Sequence, residues 1–190
     1  KPKNPSSDII SQILLQTYKG NLKYSQNQDC FFIYQYRSNG LWSGISDTEM
    51  KGEVKHRLDL VKETLLPSGY SMNLVNDIVE QLRISVIFDE WYEGNDHLLF
   101  TNGILNINTK ELLPFDREMH FTQQLPYDYK PELECEPIIK WLKKTQDGNW
   151  DRVQVLRAWL RAVLLSHSDI QKFVEIVGPG KSGKSTYANL

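Results

Sequence analysis

The feature that most constrains this chain lies near its end. There Phe173-Val174-Glu175-Ile176-Val177 runs into Gly178-Pro179-Gly180-Lys181-Ser182-Gly183-Lys184-Ser185-Thr186. An apolar, β-branched run, a glycine-rich turn and a stretch with few helix breakers predict strand, loop and helix, with the G-x-x-x-x-G-K-[ST] spacing of a phosphate-binding loop. Gly178 and Gly183 allow backbone conformations denied to other residues, so successive N–H groups can turn inward around an anion. The positive end of the following helix adds to that field. Lys184 can reach β- and γ-phosphate oxygens as a point charge, and Ser185 can offer its hydroxyl to Mg²⁺. ATP and Mg²⁺ are therefore the expected ligands. Residues Gly178, Pro179, Gly180, Lys181, Ser182, Gly183, Lys184, Ser185 and Thr186 form the expected nucleotide-binding stretch, with Lys184 catalytic and Ser185 the metal ligand. The competing reading is a chance match, which average composition produces in about one chain in a hundred of this size.

Only Tyr187-Ala188-Asn189-Leu190 follow the loop. In such ATPases the acidic strand that helps hold Mg²⁺ comes later in sequence, so it is expected beyond Leu190, and little ATP turnover is expected of these residues alone. Lys1 opens the chain without a methionine, which reads as a cut boundary.

A chain of 190 residues holds one good core or two small domains. Its net charge of −2 argues against a dedicated duplex-DNA binder, which usually carries a basic balance, so nucleic-acid contact is expected from local patches, from parts of the protein outside these residues, or from a ring of subunits. No apolar run approaches a membrane span and no secretory signal is visible. Cys30 and Cys135 lack metal-ligand spacing and read as reduced thiols of a cytoplasmic protein.

In chain order, Ser6 or Ser7 is placed to cap a helix carrying Ile10, Ile13, Leu14 and Tyr18, stopped at Gly20. Phe31 to Arg37 reads as a strand and Asn39-Gly40 as its hairpin turn, with Leu41-Trp42 beginning the return. Phe32, Tyr34 and Tyr36 would share one face, packed on a helix or, alternatively, serving as a stacking platform for single-stranded bases. Ser46-Asp47-Thr48-Glu49 is a capping box opening a helix with Met50, Val54, Leu58, Val61 and Leu65 in one stripe. Lys51, Lys55 and Lys62 fall on another face, solvated or touching phosphate. A second amphipathic helix carries Leu74, Val75, Ile78, Val79 and Leu82. Ser85-Val86-Ile87-Phe88-Asp89-Glu90 imitates an acidic Mg²⁺ strand, but it precedes the loop and reads better as a helix end with solvated acids.

His97 to Pro114 reads as β structure around an Asn102-Gly103 turn. If the next stretch is extended, Asp116, Glu118 and His120 share a face and form a possible hard-metal trio or, more simply, a wet strand. Pro137 opens a helix with Ile138, Ile139, Trp141 and Leu142, and Asp147-Gly148-Asn149 breaks it. The most regular helix follows, with Leu156, Trp159, Leu160, Val163 and Leu164 at helical spacing, flanked by Arg157 and Arg161. Ser166-His167-Ser168-Asp169 then leads into the loop strand.

This order of features resembles the phage/plasmid primase–helicase family, the group that includes the poxvirus primase–helicase. The resemblance rests on Leu99-Phe100-Thr101-Asn102-Gly103-Ile104-Leu105-Asn106-Ile107 through Leu113-Pro114, and on Phe121-Thr122-Gln123-Gln124-Leu125-Pro126-Tyr127-Asp128-Tyr129. It also rests on the two helices before Gln171-Lys172-Phe173, and on the hairpin ending in Gly40-Leu41-Trp42 with the helix after it. It spans residues 20 to 190. The resemblance implies a superfamily 3, AAA+-type DNA helicase working as a homo-hexamer on single-stranded or forked DNA, with a primase domain or subunit as partner. Gly178, Gly183, Lys184 and Ser185 match the family's phosphate loop, whereas its acidic strand, sensor and arginine finger find no match before Leu190. The expected fold is an α+β accessory domain over 1–133, a helical collar over 134–170 and the truncated start of an α/β P-loop core over 171–190. Two alternatives remain beside it: another P-loop NTPase, and a non-catalytic oligomerisation or DNA-docking module.

Overall fold

The computed structural model describes residues 4–132, 135–165 and 170–189, and it is a mixed α+β structure of helices and small antiparallel sheets. Its contacts divide into two units, one formed by residues 1–93 and 99–129, the other by 94–98 and 130–190.

The first unit begins with α1 (Ser7–Tyr18), whose N-cap Ser6 accepts a hydrogen bond from the Ile9 amide and whose last turn closes on Lys19 in the left-handed region. A three-stranded antiparallel sheet follows: β1 (Leu22–Ser25), β2 (Cys30–Tyr34) and β3 (Trp42–Ile45). Leu22 faces Ile33, and Phe31 faces Ile45. β2 is shorter than its aromatic run because Gln35 takes a positive φ of 57°, which turns the chain out of the ladder before Tyr36.

α2 (Asp47–Leu65) opens with both halves of the expected capping box: the Glu49 amide donates to Ser46 Oγ at 3.2 Å, and the Ser46 amide donates to Glu49 Oε2 at 2.7 Å. α3 (Met72–Ser85) is capped by Ser71. Met50, Val54 and Leu58 of α2 and Val75, Ile78, Val79 and Leu82 of α3 are wholly buried. They join Ile10, Leu14, Tyr18, Phe31 and Ile45 in one core between helices and sheet. The Arg83 guanidinium, ion-paired to Asp47 and Glu80, lies over the rings of Tyr24 and Phe31.

Past α3 the chain departs from the expectation of a continuing helix end. Val86 O accepts from the Tyr24 amide and the Phe88 amide donates back to Tyr24 O, both at 2.8 Å, so Ile87 bridges β1 in parallel. A β-branched pair meeting a free sheet edge gains ladder hydrogen bonds that a fraying helix terminus lacks. A second sheet has the order β4 (His97–Phe100), β5 (Gly103–Asn106), β6 (Leu112–Leu113). Its small core contains Leu99, Ile104 and Phe121. Gly103 is demanded by geometry: at φ 153° an added methyl would stand 2.7 Å from the Leu113 carbonyl oxygen.

The second unit contains a helical pair, α4 (Glu136–Thr145) and α5 (Trp150–Leu164), and the short α6 (Lys184–Ala188). Pro137 sits in the first turn of α4, Asp147 and Gly148 turn the chain with positive φ, and Asn149 caps α5 through the Arg152 amide at 3.1 Å. The expected lead from Ser166 to Asp169 lies outside the described residues. Among the described residues no helix is long and apolar enough to cross a membrane.

Candidate nucleotide-binding site

The residues from Gly178 onward fold as a turn closing on α6, but the strand expected over Phe173–Val177 is not formed. Phe173 and Val177 are 86% and 83% exposed. A strand exists by pairing, and among the described residues no neighbouring strand lies beside this run. The β-propensity is present without the ladder that would use it.

At the turn, two positions carry positive φ: Lys181 at 62° and Gly183 at 89°. Gly183 is required twice over. It takes the left-handed conformation, and a methyl added to it would stand 2.9 Å from Cζ2 of Trp141 and 3.5 Å from Cγ2 of Thr145. Gly178 is tight against Ser182, whose Oγ would lie 3.1 Å from an added methyl, whereas Gly180 is open on all sides.

The Lys184 ammonium folds back across the turn. It donates to the carbonyl oxygens of Gly178 and Pro179, both at 2.8 Å, and to Ser182 Oγ at 3.3 Å. Three neutral acceptors hold a full positive charge at the centre of a ring of backbone, half-buried, while Ser185 and Thr186 present exposed hydroxyls in the first turn of α6. That donor set fits a polyphosphate with its Mg²⁺: anionic oxygens are stronger acceptors for an ammonium than carbonyls, and a serine hydroxyl is a hard ligand.

The helices behind the turn position it. Tyr187, one turn after Lys184, is buried with Leu142 of α4 and Val153 of α5, and Trp141, Leu156, Trp159 and Leu160 pack around them. Its phenol donates to the Leu156 carbonyl at 2.7 Å, and burial pushes its pKa up. In front of these helices lies a cavity of about 490 Å³, lined by Trp141, Thr145, Arg152, Glu175, Ser182 and Lys184 among others. This size is within the range of small-ligand pockets. The structure brings Lys184 back onto the turn that holds Gly178 and Gly183, and packs Trp141 and Tyr187 behind it, two residues to which the sequence assigned no part in the site. The available signal was the spacing of Tyr187 three residues after Lys184, which puts the two on neighbouring positions of one helix.

The other candidate groups have structural partners. Phe32 is buried against Trp91 with ring centroids 4.3 Å apart, Tyr34 lies on Trp42 at 5.4 Å, and Tyr36 falls beyond β2. Phe32 and Tyr34 are thus packed on neighbouring rings, whereas Tyr36 is exposed. On α2, Lys51 pairs with Asp47 at 2.7 Å and Lys55 with Asp59 at 3.1 Å. Asp89 caps the β1–β2 turn, accepting from Ser25 Oγ at 2.5 Å and from the Gln26 and Asn27 amides.

Asp116, Glu118 and His120 are not extended: Asp116 caps a 3₁₀ turn over Arg117–Met119 and accepts from the Glu118 amide at 2.9 Å. Glu118 pairs with Arg117, and the His120 ring lies on Phe88 at 4.4 Å. Burial lowers the His120 pKa, and the neighbouring Lys23 ammonium lowers it further. Among the described residues no group of three His, Cys, Asp or Glu side chains is placed to hold a metal ion.

Compared with known families, residues 11–147 match the family model described as "D5 N terminal like". The match covers well over half of the chain and ends before α5 and the phosphate-loop turn, so it is independent of the motif there.

Proposed function

Because the chain belongs to the D5 N terminal like family, the N-terminal region of phage and viral D5-type primase–helicase proteins, we propose that it is part of an ATP-dependent DNA helicase of superfamily 3. In this reading residues 1–133 are an accessory domain, 134–170 a helical collar, and 171–190 the start of an AAA+-like P-loop core. The protein acts in the cytoplasm as a homo-hexamer on single-stranded or forked DNA, together with a primase domain or subunit.

Gly178 through Thr186 grip the triphosphate of ATP. The amides of the turn and the Lys184 ammonium bind β- and γ-phosphate oxygens, and Ser185 Oγ is the oxygen offered to Mg²⁺. When bound, that ion neutralises charge on the transferred phosphoryl group. Lys184 is catalytic in a specific sense: charge that develops on phosphate oxygens meets an ammonium already oriented by its own loop.

The observation that carries this reading is the Lys184 Nζ held at 2.8 Å from both the Gly178 and Pro179 carbonyls, at the centre of the turn. Forked-DNA unwinding tests it, with the helicase carrying Lys184→Ala as control. Unwinding should need ATP and vanish in the variant, and unwinding that survives the substitution overturns the assignment. A second reading has one observation in its favour, since the family match lies wholly outside the turn. There the matched region is a DNA-docking or oligomerisation module, and forked-DNA binding would persist unchanged in Lys184→Ala without any ATP-dependent opening.

A further inference from the structure

We propose that Trp141 is a positioning residue for the phosphate loop, its indole holding Gly183 in the left-handed conformation that aims Lys184 into the turn, so that α4 senses what the loop binds. The inference rests on the phosphate-binding reading above and deepens it.

No side chain separates the Cα of Gly183 from the Trp141 ring, because even a methyl there would stand 2.9 Å from Cζ2. Trp141 and Thr145 are four residues apart on α4 and therefore share one face, and the two together flank Gly183. Gly183 is also the N-cap of α6 and its carbonyl accepts the Tyr187 amide at 3.0 Å. Tyr187 in turn is tied to α5 through the Leu156 carbonyl. The residue immediately before Lys184 is thus clamped from α4, and the helix that carries Lys184 is clamped from α5.

A bound phosphate must draw the Lys184 ammonium away from the Gly178 and Pro179 carbonyls, which are its present acceptors. Trp141 lines the same cavity as Lys184. Its indole meets that rearrangement directly. A flat, rigid ring resists displacement of the glycine better than a flexible aliphatic chain, which gives Trp141 a use distinct from that of its neighbour Leu142, buried in the core.

The test uses the chain labelled with 5-fluorotryptophan, which gives one fluorine resonance for each of its five tryptophans. The Trp141 line is assigned by its loss in Trp141→Phe. On titration with a Mg²⁺-bound, non-hydrolysable ATP analogue that line should shift. Affinity for the analogue should fall about tenfold in Trp141→Ala and recover to near the parent value in Trp141→Phe. An unmoved Trp141 line, or equal affinity in Trp141→Ala, overturns the positioning role while binding that depends on Lys184 still stands. Absence of binding by the parent chain overturns the phosphate-binding reading itself. Should Trp141→Ala fail to fold, the fluorine shift in the unsubstituted chain decides the matter.

Discussion

At the scale of single residues, charge and backbone geometry make separable demands on one short turn. Lys184 supplies the charge, and its loss removes a charge-assisted hydrogen bond worth about 1.5–3 kcal/mol, or roughly ten- to a hundredfold in affinity. Titration of Lys184→Ala with a fluorescent ATP analogue should show that loss with the fold intact, because among the described residues the ammonium bonds to its own loop. Gly183 supplies the geometry. Gly183→Ala strains a left-handed residue and drives a methyl into Trp141, at a cost of about 1–3 kcal/mol. Gly180→Ala meets no atom within 4 Å and should be nearly neutral, so urea unfolding of the two variants separates steric need from mere motif membership.

His120 makes a different residue-scale prediction. Its folded pKa lies below the ordinary histidine value because burial and Lys23 disfavour the imidazolium. The unfolded chain therefore binds more protons once the pH drops below about 6.5, and stability falls as acid is added through that window. The difference in urea midpoint between about pH 7.5 and about pH 5.5 should be smaller in His120→Phe than in the parent chain.

At the scale of elements, caps and pairing decide what forms. α2 owes its start to the reciprocal Ser46–Glu49 bonds, and Ser46→Ala should cost about 1 kcal/mol, read as a lowered thermal midpoint. The same variant leaves the buried Met50–Val54–Leu58 stripe untouched, so helix content should persist. Leu58→Ala, by contrast, opens a hole in a wholly buried position and should cost about 2–5 kcal/mol. Phe173–Val177 shows the converse: high β-propensity without a partner strand leaves an exposed apolar run. Strand formation needs a second segment to pair with, and propensity alone does not complete it.

At the scale of the whole molecule, two independent lines meet. The family match spans residues 11–147 and concerns the helices and sheets, whereas the glycine-rich turn lies after it. A net charge of −2 argues against a dedicated duplex binder, and because phosphate contacts release counterions, the DNA affinity of the proposed helicase should fall steeply with added salt. The division into two units has a consequence for unfolding. Trp141→Ala acts on residues of the second unit and should leave the buried stripe of the first protected from amide exchange.

Features set by neighbours along the chain were legible without coordinates. Ser6 and Ser46 cap helices because a side-chain oxygen three residues away meets an orphan amide. The turn before α6 was legible because its glycines are spaced within a few residues of one another. Features set by residues far apart in sequence needed the tertiary structure. β1 went unnoticed because Leu22–Ser25 is short and is a strand only beside β2, and Val86–Phe88 left the helical register only because β1 offers an edge. Asp116, Glu118 and His120 lost their shared face when Asp116 capped its own turn. Trp141 and Tyr187 gained their roles from packing between α4, α5 and α6. Local hydrogen bonds are encoded within a few residues, whereas a ladder or a packed ring depends on which distant segment arrives beside it.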